Sequence, residues 1–595
     1  MSLEYRWWLS IAFVSTVGAA IFQLWIPLLL GDAVDTAGEF LESGTGGDSA
    51  ARSALYRLAW MLLGFSIIRG VLGFFHTFIG EALGQHISYR LRLAYYEKLQ
   101  RLSFSYHDRV HTGDLITRGI LDIEGVRMFI NAGILRLFLL AILVGAGAYL
   151  VLIIDWQLGL LSLSFIPFMA WRATVARLKL RAGWLILQER FSTLTKVMDE
   201  NLGGIRVVRA FGAQDYEMRK FDVASNDAMS LTNQQIGVRV RNTTVMTFAF
   251  YIAMTLVLLI GGIKIIDGEL TPGNLATFIA FMGILQQPVR QVGMLVNAVA
   301  RASSTGTRLF DVLDLVPDIR DKPDAQNLVI TEGVLKFDHV DFSYGDEAVL
   351  RDISFEARPG HTIGLVGPPG SGKSTIAHLI PRYYDVSGGR ITVDGQDIRD
   401  VRLESLRTTV GVVEQDTFLF TTSVENNVAY GDPWAETDRV QSATGSAQLH
   451  DYVARLPLGY ETLIGERGVS LSGGQRQRLS IARSIMLKPS LLIFDDSTAA
   501  IDAGTEQRIR AALRDVTNDR AVIIISHRLS SLMHADEILF IDKGRVIERG
   551  THQQLLELGG NYRDLYELQI RPSDETRLKA GFDAARNGGS TGERS

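Results

Sequence analysis

The sequence predicts two fused parts: an all-α transmembrane domain of six helices with long cytoplasmic helix extensions, followed by an α/β domain. Apolar windows long enough to cross a bilayer, about 20 residues each, are confined to the first 300 residues. From about residue 334, short β-rich runs alternate with helical ones, which is typical of an α/β domain. The polar stretch VPDIRDKPDAQN lies between the two parts.

Composition excludes several classes of protein. The chain has 595 residues, of which 47% are hydrophobic and 21% charged, which favours several domains with a membrane component over one water-soluble core. With 60 basic and 65 acidic residues, the net charge of -5 does not indicate a nucleic-acid-binding protein. The sequence has no cysteine, so disulfides, thiolate metal sites and cysteine nucleophiles are excluded, and a bound metal needs oxygen ligands.

Six windows are predicted to span the membrane. They are residues 8–30, 58–80, 137–154, 156–171, 242–263 and 274–300. The spans contain aromatic residues suited to apolar substrates, namely Trp25, Phe74, Phe75, Phe248, Phe250, Tyr251 and Phe278.

The charges of the connecting segments predict the orientation. The connection 31–53 is acidic, whereas 81–136 and 172–241 are long and rich in Arg and Lys. Basic connections stay on the cytoplasmic side, so we expect both long connections and both termini inside a multi-pass protein. We expect this membrane to be the cell (inner) membrane, because no targeting segment precedes the first span.

The same patterns predict the domain boundaries. We expect a transmembrane domain over residues 1–315, a linker over 316–333, the α/β domain over 334–570 and a disordered tail over 571–595.

A glycine-rich loop, GPPGSGKS at Gly367–Ser374, follows the apolar strand 362–366 and opens a helix. Its strand and helix context is that of a P-loop, in which backbone N–H groups surround phosphate oxygens. Lys373 is then expected to reach the β and γ phosphates of a nucleotide, and the Ser374 hydroxyl to bind Mg²⁺.

Two more apolar runs end in polar residues. LLIFDD ends in Asp495 and Asp496, and the run 521–525 ends in Ser526 and His527. A strand that delivers a carboxylate beside a P-loop suits a Mg²⁺ site, so we assign Asp495 to the metal. His527 is expected at the same sheet edge.

The run LSGGQRQRLSIARSI, Leu471 to Ile485, is the most specific motif in the chain. Here the sequence resembles the ATP-binding-cassette (ABC) superfamily, and with six preceding spans it is similar to a type IV exporter half-transporter over residues 8–569. The resemblance implies ATP and Mg²⁺ as cofactors and action as a dimer. It also implies that Leu471, Ser472, Gly473, Gly474 and Gln475 meet the nucleotide of a second half-transporter.

Further residues match the family in chain order. The resemblance implies that Tyr344 stacks on adenine and that Gln415 contacts Mg²⁺ and takes part in catalysis. It assigns Asp502 to the D-loop and Glu466, in Thr462–Gly468, to the exporter-specific segment. It implies nucleotide contacts by Gly367, Pro368, Pro369, Gly370, Ser371, Gly372, Lys373, Ser374 and Thr375. Residues 111–118 and 210–217 match the two cytoplasmic coupling segments.

The sequence differs from the family pattern at the catalytic base. The family normally has Glu after the Mg²⁺ carboxylate, whereas this chain has Asp496, and the D-loop Ser is Ala499. Asp is shorter by about 1.5 Å, and a misplacement of about 1 Å can lower a rate about 10²-fold. We therefore expect slow hydrolysis at this site and favour a heterodimer whose partner supplies Glu. The alternative is a homodimer in which Asp496 orients water with help from His527.

These observations predict a subunit of an ATP-driven exporter in contact with membrane lipid, for a drug, lipid or peptide-like substrate. Two alternatives remain: a catalytically muted nucleotide-binding regulatory subunit, and an importer with an exporter-like fold. The sequence does not identify the substrate.

Overall fold

The computed structural model describes residues 6–42, 49–465, 471–496 and 519–569. The chain divides into two compact units. The first unit comprises Met1–Gln100 and Val110–Leu315, and the second comprises Arg101–Arg109 and Val316–Ser595. The predicted disordered tail, 571–595, lies outside the described residues.

The described part of the first unit is helical. Its helices are α1 (Arg6–Glu42), α2 (Ser49–Arg101), α4 (Thr112–Thr117), α5 (Ile123–Met128), α6 (Leu135–Ile154), α7 (Trp156–Leu163), α8 (Phe165–Gly203), α9 (Ile205–Ala210), α10 (Gln214–Ile266) and α11 (Pro272–Leu313), and α3 (Phe104–Arg109) belongs to the second unit. Two π-helical turns, Arg118–Asp122 and Phe129–Ile134, flank α5.

Five helical segments in the described residues are long and apolar enough to cross a membrane. They are Arg6–Leu41, Arg52–Arg101, Leu135–Ile154, Trp156–Gly203 and Gln214–Ile266. The predicted sixth span, 274–300, lies within α11, which is outside this set of five. Two of the aromatic residues named from the predicted spans, Phe250 and Phe278, are buried in the core of the bundle, 4% and 0% exposed.

Polar side chains define the short turns between the helices. Asp155, the single residue between α6 and α7, accepts a hydrogen bond from the Leu158 N–H (2.8 Å) and caps α7. Its other oxygen accepts one from the Lys264 ammonium near the end of α10 (2.5 Å). Thr271 caps α11 through the Asn274 N–H, and Pro272 occupies the first turn, where its missing N–H costs nothing.

The second unit is α/β. Its strands are β1 (Leu335–Tyr344), β2 (Glu347–Ala357), β3 (Thr362–Val366), β4 (Gly388–Val393), β5 (Gln396–Asp397), β6 (Val410–Val413), β7 (Thr422–Ser423), β8 (Leu463–Ile464), β9 (Leu491–Asp495), β10 (Ala521–Ile525), β11 (Glu537–Asp542) and β12 (Arg545–Gly550). Its later helices are α12 (Lys373–Leu379), α13 (Leu403–Thr409), α14 (Val424–Val428), α15 (Thr437–Ser446), α16 (His450–Val453), α17 (Gly473–Met486), α18 (Leu529–Leu532), α19 (His552–Leu558) and α20 (561–569).

The strands form a six-stranded sheet in the order β12-β11-β3-β10-β9-β6 and a four-stranded antiparallel sheet in the order β2-β1-β4-β5. In the larger sheet all pairs are parallel except β11 with β12. The central strands are almost continuously buried, as expected for parallel strands covered on both faces. Their carboxyl ends therefore lie along one edge.

Helix α3 packs against other segments of the second unit, to which it belongs. Phe104 stacks on Tyr383 with ring centroids 4.2 Å apart, and the Tyr384 hydroxyl donates a hydrogen bond to Asp108. The prediction placed the first coupling segment at 111–118, whereas the residues grouped with the second unit are Arg101–Arg109. Gly113 suggests a turn in the sequence, but it lies within α4, whose start is capped by His111. The second predicted segment, 210–217, includes the turn between α9 and α10, within the first unit.

The segment 316–333, which was predicted as a linker, is part of the second unit and forms polar contacts with other segments of it. Lys322 pairs with Asp400, and Asp321 accepts a hydrogen bond from the Leu403 N–H (2.8 Å). At its end, the Asp394 carboxylate accepts hydrogen bonds from four consecutive backbone N–H groups, those of residues 331–334, at 2.7–3.1 Å. Asp394 and Gly395 both have positive φ, 49° and 76°, in the tight turn between β4 and β5. This turn favours Asp-Gly.

We predict that Asp394→Ala lowers the unfolding temperature of the full chain in nanodiscs by about 4–8 °C, since loss of an ionised acceptor costs about 2 kcal/mol or more. Partial burial raises the pKa of Asp394, but the backbone N–H groups outweigh it and lower that pKa overall. The stabilisation is therefore complete above the ordinary pKa of about 4 and is lost as the pH falls through the lower folded-state pKa. Scanning fluorimetry should show the gap between wild type and variant narrowing on acidification, while Asp394→Asn, which keeps a side-chain acceptor, should lose less. A gap independent of pH would contradict the charge-based explanation.

Candidate nucleotide site

Three adjacent strands bring the predicted site residues together. Strand β10 lies between β3 and β9, with Ile525 opposite both Leu365 and Asp495. The P-loop follows β3 and Asp496 follows β9. His527 is the second residue after β10. The structure thus places the P-loop, both carboxylates and the segment Ser526–Leu529, here called the H-loop, at one sheet edge.

The P-loop backbone depends on its glycines. Gly367 has φ 153°, and a Cβ built there would lie 2.0 Å from the carbonyl oxygen of Ile541. Gly372 has φ 101°, and its Cβ would lie 2.6 Å from Leu350. Gly370 has φ 77° but open space around it. Positive φ is easily reached only by glycine. The backbone contact excludes any side chain at Gly367, whereas at Gly372 a side chain would be strained and would displace the end of the Leu350 side chain.

Lys373 is almost fully buried, 5% exposed, at the start of α12. Its ammonium donates to the carbonyl oxygens of Gly367 (3.0 Å) and Pro368 (2.8 Å) and to the Ser371 hydroxyl (3.2 Å). Burial lowers its pKa, and the nearby Asp495 and Asp496 oppose that shift. The cation is therefore held inside the loop, where a phosphate oxygen would gain both its charge and the surrounding N–H groups.

Asp495 and Ser374 form an oxygen donor pair. The Ser374 hydroxyl donates to Asp495 at 3.3 Å, and Asp495 is 7% exposed. Burial raises the pKa of Asp495, while the bond from Ser374 opposes the shift. The described residues contain no group of three His, Cys, Asp or Glu side chains that could enclose a metal. One carboxylate and one hydroxyl, with Gln415 exposed after β6, fit Mg²⁺, which uses few protein ligands beside water and phosphate oxygens.

Asp496 points back towards the H-loop. Its N–H donates to the carbonyl of Ile525 (2.8 Å), and one carboxylate oxygen accepts bonds from the Ser526 hydroxyl (3.3 Å) and the His527 N–H (3.4 Å). Its φ is 41°, in the left-handed region, and its side chain is buried. Asp is among the residues that tolerate this region best. The bonds from Ser526 and His527 hold its short side chain close to the end of β10.

Tyr344 lies at the end of β1 in an aromatic group. Its ring meets Phe342 and Tyr384 edge to face, with centroids 4.7 and 5.1 Å away. Burial raises its pKa, and a hydrogen bond with Thr375 opposes that rise. The group borders a cavity of about 590 Å³ that Ser105 and Asp108 also line. A planar ring could pack against Tyr344, which is 40% exposed.

The predicted signature residues start α17. Ser472 caps this helix: its hydroxyl accepts from the Gln475 N–H (3.3 Å), and its own N–H donates to the Gln475 side chain (2.8 Å). Leu471 is buried and anchors the motif, whereas Ser472 is exposed. Gly473 and Gly474 form the first turn, so the helix presents N–H groups suited to an anion.

Some predicted residues lie outside the described part of the chain, namely Glu466, Ala499 and Asp502. Within the described part, sequence reasoning named Ser526 without its bond to Asp496 and missed Gln569. The bond from Ser526 to Asp496 follows from the pairing of β9 with β10, which a strand prediction could have suggested. Gln569 bonds to the H-loop from 40 residues away, and no local pattern marks it.

Comparison with known proteins agrees with this architecture. Residues 9–289 match the model of the ABC transporter transmembrane region, and residues 350–499 match the ABC transporter model. The chain is 39% identical to the uncharacterized ABC transporter ATP-binding protein YknU of Bacillus subtilis over 87% of this chain and 89% of that protein. The chain belongs to the ABC transporter family. The resemblance predicted from the signature motif is therefore confirmed.

Other relatives of this ABC transporter are named as a lipid flippase and as putative multidrug export proteins. It is 32% identical to the ATP-dependent lipid A-core flippase of Syntrophus aciditrophicus over 89% of this chain and 88% of that protein. It is also 32% identical to the putative multidrug export protein YgaD of Bacillus subtilis over 91% and 94%. A bacterial Atm1-family ABC exporter with ATP bound matches with a TM-score of 0.78 at 27% identity, covering 94% of this chain and 98% of that one.

The predicted fold class is confirmed: the chain has the type IV exporter fold, with an N-terminal transmembrane domain fused to a C-terminal ABC domain. It is a half-transporter that hydrolyses ATP to drive transport.

We predict that Gly367→Ala abolishes ATP binding, because its methyl group would collide with the Ile541 carbonyl. Gly395→Ala is the matched control, since it adds the same methyl group at a positive φ in open space, in the turn between β4 and β5 and outside the nucleotide site, at a strain of about 1–2 kcal/mol. Equilibrium binding of a fluorescent ATP analogue to the full chain in nanodiscs checks the difference. Equal losses in both variants would mean that the close approach at Gly367 is unimportant.

Proposed function

We propose that this chain is one half of a dimeric exporter that uses MgATP to move lipid-like or other apolar substrates out of the cell, with slow hydrolysis at its own nucleotide site. The observation that carries the proposal is the single sheet edge at which the P-loop, Asp495, Asp496 and the H-loop meet. The same chain contains five apolar helices of membrane-spanning length within its described residues.

Each group at the edge has a proposed task. The P-loop N–H groups and Lys373 bind the phosphates, and Tyr344 packs against adenine. Ser374 and Asp495 hold Mg²⁺ together with Gln415, and the metal supplies positive charge to the phosphate oxygens. Asp496 is the base that orients the attacking water, and His527 lies beside it.

Two copies of the ABC domain are needed for a complete site in this proposal. The capped N-terminus of α17 carries Ser472, Gly473 and Gly474, and Ser472 is exposed. N–H groups at such a terminus suit the γ-phosphate held by a partner's P-loop. Asp502 is proposed to meet the same interface.

The slow site follows from the position of Asp496. Its carboxylate already accepts bonds from Ser526 and His527, and it is one methylene shorter than Glu. A heterodimer is favoured, in which Ser472 of this chain completes an efficient site on a partner that has Glu. The homodimer with a working Asp496 is the alternative. The bonds that restrain Asp496 also support a second candidate function, a nucleotide-binding regulatory subunit with little turnover.

The substrate class rests on apolar surface and on relatives. Five of the seven aromatic residues named from the predicted spans are more than 40% exposed: Trp25, Phe74, Phe75, Phe248 and Tyr251. Relatives are named as a lipid A-core flippase and as putative multidrug exporters. A lipid is amphipathic, and such cargo fits this surface. The basic connections support the proposal that both termini and the ABC domain lie in the cytoplasm of a cell-membrane protein.

We predict that Asp496→Glu raises the Mg²⁺-dependent ATPase rate of this chain, purified alone into nanodiscs, by about 10-fold or more, because the added methylene restores reach to the water. Lys373→Ala defines the background rate, and ATP binding is measured in parallel. A wild-type rate well above background with no rise in Asp496→Glu would show that Asp496 is an adequate base in a homodimer.

The direction of transport is tested in inside-out vesicles that contain the Asp496→Glu chain. We expect ATP-dependent accumulation of a fluorescent phospholipid analogue in the leaflet facing the lumen, and none with the additional Lys373→Ala change. Movement of the probe from the lumenal to the outer leaflet would instead support an importer.

A further inference from the structure

Helix α20, residues 561–569, is fixed at its start by polar contacts. The buried Glu548 on β12 accepts hydrogen bonds from the N–H groups of Asn561 (2.5 Å) and Tyr562 (3.0 Å). A carboxylate at a helix N-terminus also interacts favourably with the helix dipole. Tyr562 is fully buried, and its hydroxyl is 2.6 Å from the His552 ring. Burial raises the pKa of Tyr562 to about 12. The helix therefore has a defined position against the sheet.

The other end of α20 reaches the H-loop through Gln569. Its side-chain amide donates to the carbonyl oxygen of His527 (2.8 Å) and accepts from the N–H of Leu529 (3.1 Å). Leu529 is the first residue of α18, and the preceding Arg528 makes no side-chain cap. Gln569 thus caps α18 from outside and fixes the His527 peptide in the same contact.

The H-loop peptide leads directly to Asp496. The His527 N–H and the Ser526 hydroxyl both donate to one Asp496 oxygen, and the Arg528 N–H donates to the Ser526 hydroxyl at 3.0 Å. All three donors belong to the turn formed by residues 526–528. Gln569 binds the His527 carbonyl oxygen in this turn and the Leu529 N–H that follows it. A shift of that turn would therefore move the groups that orient the Asp496 carboxylate.

We infer that Gln569 is a positioning residue for ATP hydrolysis: it holds the H-loop so that Asp496 and His527 keep their placement at the nucleotide site. The inference rests on the roles proposed above for Asp496 and His527. Helix α20 thereby affects catalysis through Gln569, whose side chain bonds to the H-loop and not to the P-loop.

Two substitutions separate the two bonds. Gln569→Ala removes both, whereas Gln569→Glu keeps an acceptor for the Leu529 N–H and places a carboxylate against the His527 carbonyl. Gln553→Ala is the matched control, because it makes the same change on an exposed side of the neighbouring α19. All three are made in the full chain, both with wild-type Asp496 and with Asp496→Glu.

We expect kcat for MgATP to fall about 10-fold in Gln569→Ala and in Gln569→Glu, with KM and the unfolding temperature unchanged, since the P-loop is untouched. Hydrogen exchange at the Leu529 amide, followed by mass spectrometry of an H-loop peptide, should accelerate in Gln569→Ala and stay slow in Gln569→Glu. Gln553→Ala should match its parent in every measurement. A normal kcat in Gln569→Glu, or a parallel loss of ATP affinity, would overturn the inference.

Failure of the proposed function can be distinguished from failure of the positioning role of Gln569. If neither the wild-type nor the Asp496→Glu background hydrolyses ATP above the Lys373→Ala rate although ATP binds, the chain does not turn over without a partner subunit and the homodimer alternative fails. Hydrogen exchange then decides the positioning role: unchanged protection in Gln569→Ala overturns it, and faster exchange confined to the H-loop supports it.

Discussion

The position of β10 between β3 and β9 is the constraint on which the nucleotide site depends. All three strands run parallel and are buried on both faces, so they end at the same edge. A slip of one residue in either pairing would turn buried side chains to the opposite face and would separate Asp495 from Ser374. The sheet register, rather than any single loop, thus sets the distance between the P-loop, the acidic pair and the H-loop.

That edge concentrates charges that are costly when isolated. Lys373 is buried, which lowers its pKa, and burial raises the pKa of Asp495. Each group therefore depends on its neighbours, because an unpaired charge in a poorly hydrated site is unfavourable. A bound triphosphate would supply negative charge to the lysine and Mg²⁺ would supply positive charge to the carboxylate, so that binding would relieve both penalties together. The site is in this sense preorganised for a nucleotide with its metal.

The sequence was informative where the residues of a functional motif are adjacent in the chain. The P-loop, the acidic pair and the signature motif could be predicted because strand, turn and helix follow one another directly, and the fold class followed from them and from the apolar spans. The grouping of α3 with the ABC domain could not be predicted, since it depends on Phe104 and Asp108 meeting residues more than 270 positions away. The contacts of Asp394 and Gln569 likewise join segments about 60 and 40 residues apart, and neither residue stands in a recognisable motif.

The left-handed backbone at Asp496 has a consequence for how such a site can change by mutation. Asp tolerates positive φ better than Glu does, so the shorter residue relaxes the turn after β9 while it reduces the reach of the carboxylate. The two residues are encoded by codons that differ only in the third base. A single-nucleotide change can therefore replace Asp by Glu, or Glu by Asp, at this position. Such a change alters both the backbone strain of the turn and the reach of the carboxylate, while the surrounding sheet stays the same.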